Sequence, residues 1–468
     1  MHFSDFLESR RDAARALVIE LKKTYPYASV LGVDVDAQTV RVSKNTAAIV
    51  PGMDCECGFV VKVSNGSVFF EYSTDDIGSD AAALAGKIGQ AFRVHESLQG
   101  RAVGRIALSD EPLVRSFSRP GDFDSYTERQ LLDFCKDQCA ALLARSENLL
   151  NAVVSMDTLE VSKLFISGAR ELDQHYTWVN GDLVAVYREG DRVFQVREGS
   201  DFACIAPVLA ELPGKMDTLL DRAKNLTRAK PIVPGIYDVI TDPSISGLIA
   251  HEAFGHGVEM DMFVKDRALA KEYVGGYVAA PIVNMRDGAA SAQSVASYFF
   301  DDDGVLAGDT QIIKDGILVT GISDLSSATL LGTAPTGNGR RESARRKAYS
   351  RMSNTFFQPG TDKLSDMIAS IEHGYLLCEP DNGMEDPKNW AIQCTAQYGI
   401  EIVDGKLTGN WVSPVVISGY VPDLLKSITM VSDDFKLTGA GFCGKGYKEW
   451  VRVSDGGPAL KIKGVKLG

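Results

Sequence analysis

Polar and apolar positions over residues 4–24 alternate at helical spacing, and the segments that follow, ASVLGVDVD, TVRVSKN, CGFVVKV and SVFFEYS, alternate with the two-residue period of half-buried strands. Asn65-Gly66 lies between the last two, and because both residues tolerate positive φ the pair predicts a hairpin turn. The stretch AALAGKIGQAF then reads as a second helix. A break at SRPGDFDS (118–125) precedes a long amphipathic helix, for which Asp124 or Ser125 is the expected N-cap. Strands joined by Asn-Gly and Glu-Gly turns follow, then a helix through ACIAPVLAELPGKMDTLLDRAKNL. Two prolines in RAKPIVPG (228–235) mark a linker, after which short alternating strands with glycine turns dominate. The pattern predicts an α+β protein: an N-terminal α+β domain over 1–117, a middle α+β domain over 118–230, and a large, mostly β C-terminal domain over 231–468 with a helix near its start.

A chain of 468 residues exceeds what one hydrophobic core organises, which agrees with several domains. Its net charge of −13 opposes the broad basic surface that phosphate-backbone binding requires, so direct nucleic-acid binding is not expected. No stretch approaches eighteen consecutive apolar residues, and the first residues lack the apolar core of a signal peptide, so the expected setting is cytoplasmic and without a membrane. Eight cysteines are too few for a disulfide framework.

The early C-terminal helix carries the chemistry. In YDVITDPSISGLIAHEAFGH, Asp242 is the expected N-cap and Pro243 the first helical residue, which puts His251, Glu252 and His256 in the second and third turns. Zinc peptidases of the H-E-x-x-H type have histidines at i and i+4, separated by roughly 40° around a regular helix; here the spacing is i and i+5, roughly 140°. A regular helix cannot aim both rings at one ion. A single π-turn would realign them, and Gly255 is the residue most tolerant of that distortion, or of ending the helix there.

A catalytic zinc takes three protein ligands and keeps a fourth position for water, so a third donor is needed from elsewhere. Glu259 and Asp261 are near in sequence; Cys443, in the glycine-rich GFCGKGY with Lys445 close by, is chemically better suited because positive charge favours the thiolate. Glu252 would then take a proton from a zinc-activated water and pass it to a leaving amine, which is peptide hydrolysis.

With LIAHEAFGHGVEMD and GFCGKG in this order, APTGNGRRESARRKAYSRMSNTFFQPG between them and DGGPALKIKGV near the end, the sequence resembles the TldD/PmbA family, the peptidases once named modulators of DNA gyrase. Nearly all of the resemblance lies in the C-terminal 240 or so residues. It implies a zinc peptidase buried in a dimer and acting on unfolded or small peptides, with Zn2+ held by His251, His256 and Cys443 and with Glu252 catalytic. Members of the PmbA (TldE) branch lack the metal motif and act as partners, so this chain resembles the TldD-type subunit, paired with an identical chain or with a PmbA-like one. After Cys-Gly-Lys the chain departs from the family pattern at Gly446-Tyr447-Lys448-Glu449-Trp450-Val451, which leaves the metal ligands intact and bears on substrate contacts.

The basic run GRRESARRKAYSR (339–351) suggests Arg340, Arg341 and Arg351 as holders of a substrate carboxylate. Cys135 and Cys139 share a helix face without further ligands and read as packing residues. The DDDG turn (301–304) is a weak hard-cation candidate. The alternative to a peptidase is a non-catalytic peptide-binding subunit whose metal is structural, for which Glu259 is the nearest fourth ligand.

Overall fold

The computed structural model describes residues 2–98, 112–446 and 449–468. Helix α1 (Asp5–Lys22) starts where the Ser4 hydroxyl accepts the Leu7 N–H, and its stripe of Leu7, Ala14, Leu17, Val18 and Leu21 is buried against a sheet. Strands β1 (Tyr27–Ser43), β2 (Ala47–Pro51), β3 (Glu56–Ser64) and β4 (Phe69–Thr74) follow, then α2 (Ala81–Leu98). Between β3 and β4, Gly66 takes φ +89°, while the Asn65 side chain accepts the Ser67 and Val68 N–H groups at 2.8 and 2.9 Å. Only the glycine of the predicted pair needs the left-handed conformation.

Beyond β5 (Leu113–Ser118) lies α3 (Glu128–Ala144), whose cap differs from the expectation. Phe123–Ser125 form a 3-10 turn, and Thr127 caps the helix through a box with Gln130. The Thr-x-x-Gln pair satisfies two backbone donors at once, which Asp124 and Ser125, one turn too early, cannot do. Cys135 and Cys139 are buried on the inner face of α3. Strands β6 (Leu149–Ser167), β7 (Arg170–Glu189) and β8 (Arg192–Phe202) and helices α4 (Ile205–Glu211) and α5 (Met216–Arg228) complete this half of the chain.

The strands on either side of the break at 118–125 share one eight-stranded sheet, ordered β4-β3-β1-β6-β7-β5 with β2 on β1 and β8 on β7. Its spine is the antiparallel ladder of β1 and β6, running from Ser29↔Ser167 to Ser43↔Val153.

The β-rich part opens with β9 (Gly235–Thr241), α6 (Pro243–Leu248) and α7 (Met260–Val264). One sheet contains β10 (Met285–Asp287), β11 (Thr310–Lys314) and β12 (Ile317–Leu318), and a small ladder is made by β13 (Gly339–Arg340) and β14 (Tyr349–Ser350). After β15 (Asn354–Phe357) come β16 (His373–Asp386), β17 (Ala391–Val403), β18 (Lys406–Val412), β19 (Val415–Tyr420), β20 (Ile428–Val431), β21 (Lys436–Lys445), β22 (Glu449–Gly457) and β23 (Leu460–Leu467). The pairing β16-β9-β23-β19-β17 returns to β16 and closes a barrel, while β12-β11-β10-β15-β22-β21 forms a second sheet that ends on β21. Helix α6 and the turn after it are wedged between barrel and sheet, with Ile245, Ile249, Ala253 and Phe254 buried in the shared core.

The first half and the C-terminal half are joined by buried charge. Lys163 pairs with Asp302 at 2.5 Å, Lys62 with Asp303, and Arg341 with Glu71 at 3.1 Å; Asp301 accepts the amides of Asp303, Val305 and Gly339. The DDDG carboxylates are therefore taken up by protein cations and amides, an arrangement that satisfies buried charge without an added ion. No described helix is long and apolar enough to cross a membrane.

Candidate metal centre

Strand β9 delivers the chain to Asp242, whose carboxylate accepts the Ile245 N–H at 2.8 Å, with Pro243 first in the helix, as the sequence predicts. Helix α6 runs to Leu248 and then widens: Ile249–Gly255 is π-helical, and the His256 N–H donates to the His251 carbonyl. An i to i+5 bond spreads one turn over more residues, so positions five apart return to the same side. The two imidazoles stand edge to face with centroids 5.1 Å apart.

Gly255 has φ −58° and ψ −51°, ordinary helical values, so conformational freedom is not why glycine is there. A side chain at this position would overlap the Met352 Sδ. Close packing beneath the turn sets the residue type.

Cys443 arrives on the edge strand β21, opposite Val451 of β22, and its Sγ lies 3.5 Å from His256 Nε2. Donor atoms of His251, His256 and Cys443 all lie within 4.8 Å of one another, and among the described residues no other His, Cys, Asp or Glu joins the group. Zinc bond lengths of about 2.0–2.1 Å to nitrogen and 2.3 Å to sulfur set tetrahedral edges of about 3.3–3.6 Å, so the 3.5 Å separation fits zinc directly. Burial alone would push the Cys443 thiol up; the two histidines outweigh it and hold the thiol well below its ordinary range, which favours the thiolate a metal needs.

Carboxylates stand behind both rings. Glu259 Oε2 lies 3.2 Å from His256 Nδ1 and accepts from Lys445 Nζ at 2.9 Å, while Asp455 Oδ2 lies 3.7 Å from His251 Nδ1. Asp261 pairs with Lys445 at 2.5 Å and with Lys265 at 3.1 Å. Thus Glu259 and Asp261, near in sequence to the histidines, are engaged away from the donor cluster, and Cys443 is the residue that groups with the two histidines.

Glu252 follows His251 in the π-turn and lines a groove of about 590 Å³ together with Arg267, Tyr349, Glu385 and Trp450. Gly383 of β16 leaves room for the Glu252 stem, since a Cβ there would overlap Glu252 Cγ. Both Glu385 oxygens are buried without a hydrogen-bond partner; burial pushes this carboxyl well above the usual range, with His256 offsetting part of the effect. Glu385 and Asp455 carried no sequence signal, because each is a lone carboxylate in a strand whose neighbours are set by distant pairing.

Arg340, Arg341 and Arg351 of the basic run lie outside this lining. Arg340 donates to the carbonyls of Met352 and Arg452 at 2.6 and 2.7 Å, Arg341 pairs with Glu71, and Arg351, 1% exposed, donates to the Cys443 and Glu449 carbonyls at 2.6 and 3.3 Å. The cations that do line the groove are Lys265, Arg267 and Lys445. Among the described residues Arg267 has no ion pair. In the departure after Cys-Gly-Lys, Tyr447 and Lys448 lie outside the described residues, while Trp450 packs over Gly444 and faces the groove.

Comparison with known proteins finds relatives named as metalloproteases. A metalloprotease of Methanothermobacter thermautotrophicus is 29% identical over 427 residues, 88% of each chain. A protein named zinc metalloprotease TldD homolog, from Saccharolobus solfataricus, is 31% identical over 291 residues, 61% of this chain and 64% of its own. The solved structure of TldE from Thermococcus kodakarensis shares the fold, with a TM-score of 0.74 at 17% identity over 97% of this chain and 100% of that one. Residues 234–468, which hold the donor cluster, Glu252 and the groove, match the family described as the PmbA/TldA metallopeptidase C-terminal domain. The chain belongs to the PmbA/TldD metallopeptidase family.

Proposed function

We propose that the chain is a zinc-dependent peptidase of the H-E-x-x-x-H type that hydrolyses unfolded or small peptides. One observation carries the reading: three donors of a zinc set meet beside Glu252 at a groove, and no fourth protein donor joins them among the described residues. Three protein ligands with an open position are the pattern of catalytic zinc, whereas a structural site is closed by four. The alternative, a peptide-binding subunit with a structural metal, needs Glu259 as fourth ligand, and that carboxylate is turned to His256 Nδ1 and Lys445.

When bound, zinc would polarise the scissile carbonyl and make a water acidic. Glu252 would accept the proton from the attacking water oxygen and deliver it to the leaving nitrogen, its stem held against Gly383. Among the described residues, two backbone edges without a strand partner border the site. β21 is the last strand of its sheet, and β9 pairs with β16 only at Gly374–Leu377, while Gly383, Met384 and Glu385 line the groove. An extended peptide would add as a strand there, which binds main chain and is indifferent to most side chains.

In this reading a second subunit, identical or PmbA-like, encloses the groove, and the enzyme works in the cytoplasm without binding nucleic acid. The test is removal of metal by a chelator followed by zinc addition. Hydrolysis of a short peptide should disappear and return at about one zinc per chain; undiminished hydrolysis by metal-free protein would refute the proposal.

A further inference from the structure

Two of the three donors come from places 187 residues apart, His256 at the end of the π-turn and Cys443 on β21. Behind them, on the side of the His256 ring opposite Cys443, lies a buried ionic network. Glu259 is 1% exposed; its Oε2 meets His256 Nδ1 at 3.2 Å and Lys445 Nζ at 2.9 Å, and Arg351 Nε lies 3.8 Å from its Oε1. Lys445 stands two residues beyond Cys443 on the same strand and also donates to the Ser350 carbonyl at 3.0 Å. Arg351 donates to the carbonyl of Cys443 itself. One carboxylate therefore touches a ligand on the helix side and, through Lys445 and Arg351, the backbone that carries a ligand on the sheet side.

We infer that Glu259 is the positioning residue of the metal centre: it holds His256 with its proton on Nδ1 and locks that ring to the Cys443 strand through Lys445 and Arg351. With the proton on Nδ1, the Nε2 lone pair faces Cys443 Sγ, the orientation a metal requires. His256 Nδ1 and Lys445 Nζ on Oε2, with the Arg351 charge 3.8 Å from Oε1, account for how a buried charge is tolerated there, since a buried ion needs close partners. Asp455 stands behind His251 only at 3.7 Å, leaving that Nδ1 without a hydrogen bond, so the stronger constraint acts on His256. This assignment uses the metallopeptidase reading only for the identity of the ligands.

The network also gives Arg351 and Lys445 a defined part. Lys445 has a second carboxylate, Asp261, and so keeps an anchor when Glu259 is changed. Substitution at Glu259 thus loosens His256 first, without releasing β21.

The measurement is zinc affinity of the full-length protein by competition with a chromophoric chelator, for wild type, Glu259→Ala and Glu259→Gln. A positioning carboxylate predicts affinity lower by about 10–100-fold in Glu259→Ala, with partial retention in Glu259→Gln, whose amide oxygen can still accept from Nδ1–H. The Co2+-loaded Glu259→Gln protein should keep the absorption of a thiolate-bound four-coordinate ion, because no ligand has been removed. Wild-type zinc affinity in both variants would overturn the inference, as would a change of cobalt coordination number showing Glu259 to be a ligand. Should Glu259→Ala fail to fold, Glu259→Gln and Lys445→Met decide by the same affinity readout, each predicted below wild type. Failure of zinc-loaded wild type to cleave peptides would count against the peptidase reading alone and leave this result standing.

Discussion

The backbone N–H of His256 donates to the carbonyl of His251, five residues back, so the two imidazoles of the candidate metal centre are held by the ends of one π-helical hydrogen bond. The extra residue relative to H-E-x-x-H is what makes that bond possible, and the turn that contains it packs directly on Met352.

That contact makes Gly255 sensitive to a single methyl group. Gly255→Ala forces Met352 Sδ out of place, and overpacking of this kind costs about 1–3 kcal/mol. Thermal unfolding should show a lowered Tm and zinc titration a weakened site. Met352→Ala in the same chain should restore part of the zinc affinity; no response to either change would mean that the turn is not held by this packing.

The charged seam between the first half and the C-terminal half should respond to acid. Burial would raise the Glu71 carboxyl, but Arg341 and Lys62 outweigh it and bring it down to about 2. A carboxyl at about 4.3 in the unfolded chain and about 2 when folded stabilises on the order of 3 kcal/mol above the higher value, and that contribution fades as pH falls toward the lower one. Glu71→Gln should therefore lower unfolding free energy near neutrality, and the gap to wild type should close between about pH 4.5 and 2. A gap independent of pH in that window would contradict the assignment of this ion pair as a stabilising link.

Strand addition at the free edges of β16 and β21 predicts that substrate main chain matters more than side chains. Peptides with an N-methyl group at a residue flanking the scissile bond should show a raised KM or resist cleavage, while alanine exchanges at the same residues should change kcat/KM little. Equal cleavage of methylated and unmethylated peptides would remove strand pairing from the account.

Which features could be read from the sequence follows from how local their physics is. The Asp242-Pro243 cap and the turn at His251–His256 are set by residues within one or two helical turns: residue type exposed the cap, and the i, i+5 spacing together with a shared ion exposed the turn. Cys443 was reachable only as one of several candidates, favoured by Lys445, until the family resemblance singled it out. The basic run 339–351 was read by its charge, yet its partners are remote: Glu71 for Arg341 and the Cys443 carbonyl for Arg351. Charge that ends up buried gives no sign of its partner in the local pattern. The β1–β6 ladder is hidden for the same reason, since pairing Ser29 with Ser167 depends on closure of a long loop and not on either strand's alternation. Thr127 was within reach, because Thr-x-x-Gln is a capping signature, and it was masked by the acidic residues just before it.

The most direct test of the central claim compares wild type with Glu252→Gln, measuring zinc per chain and kcat/KM for a short unstructured peptide. Glu252 is not among the donor cluster, so both proteins should hold about one zinc, and the variant should lose hydrolysis by at least about 10²-fold through loss of proton transfer. Equal hydrolysis by the two zinc-loaded proteins would contradict the account.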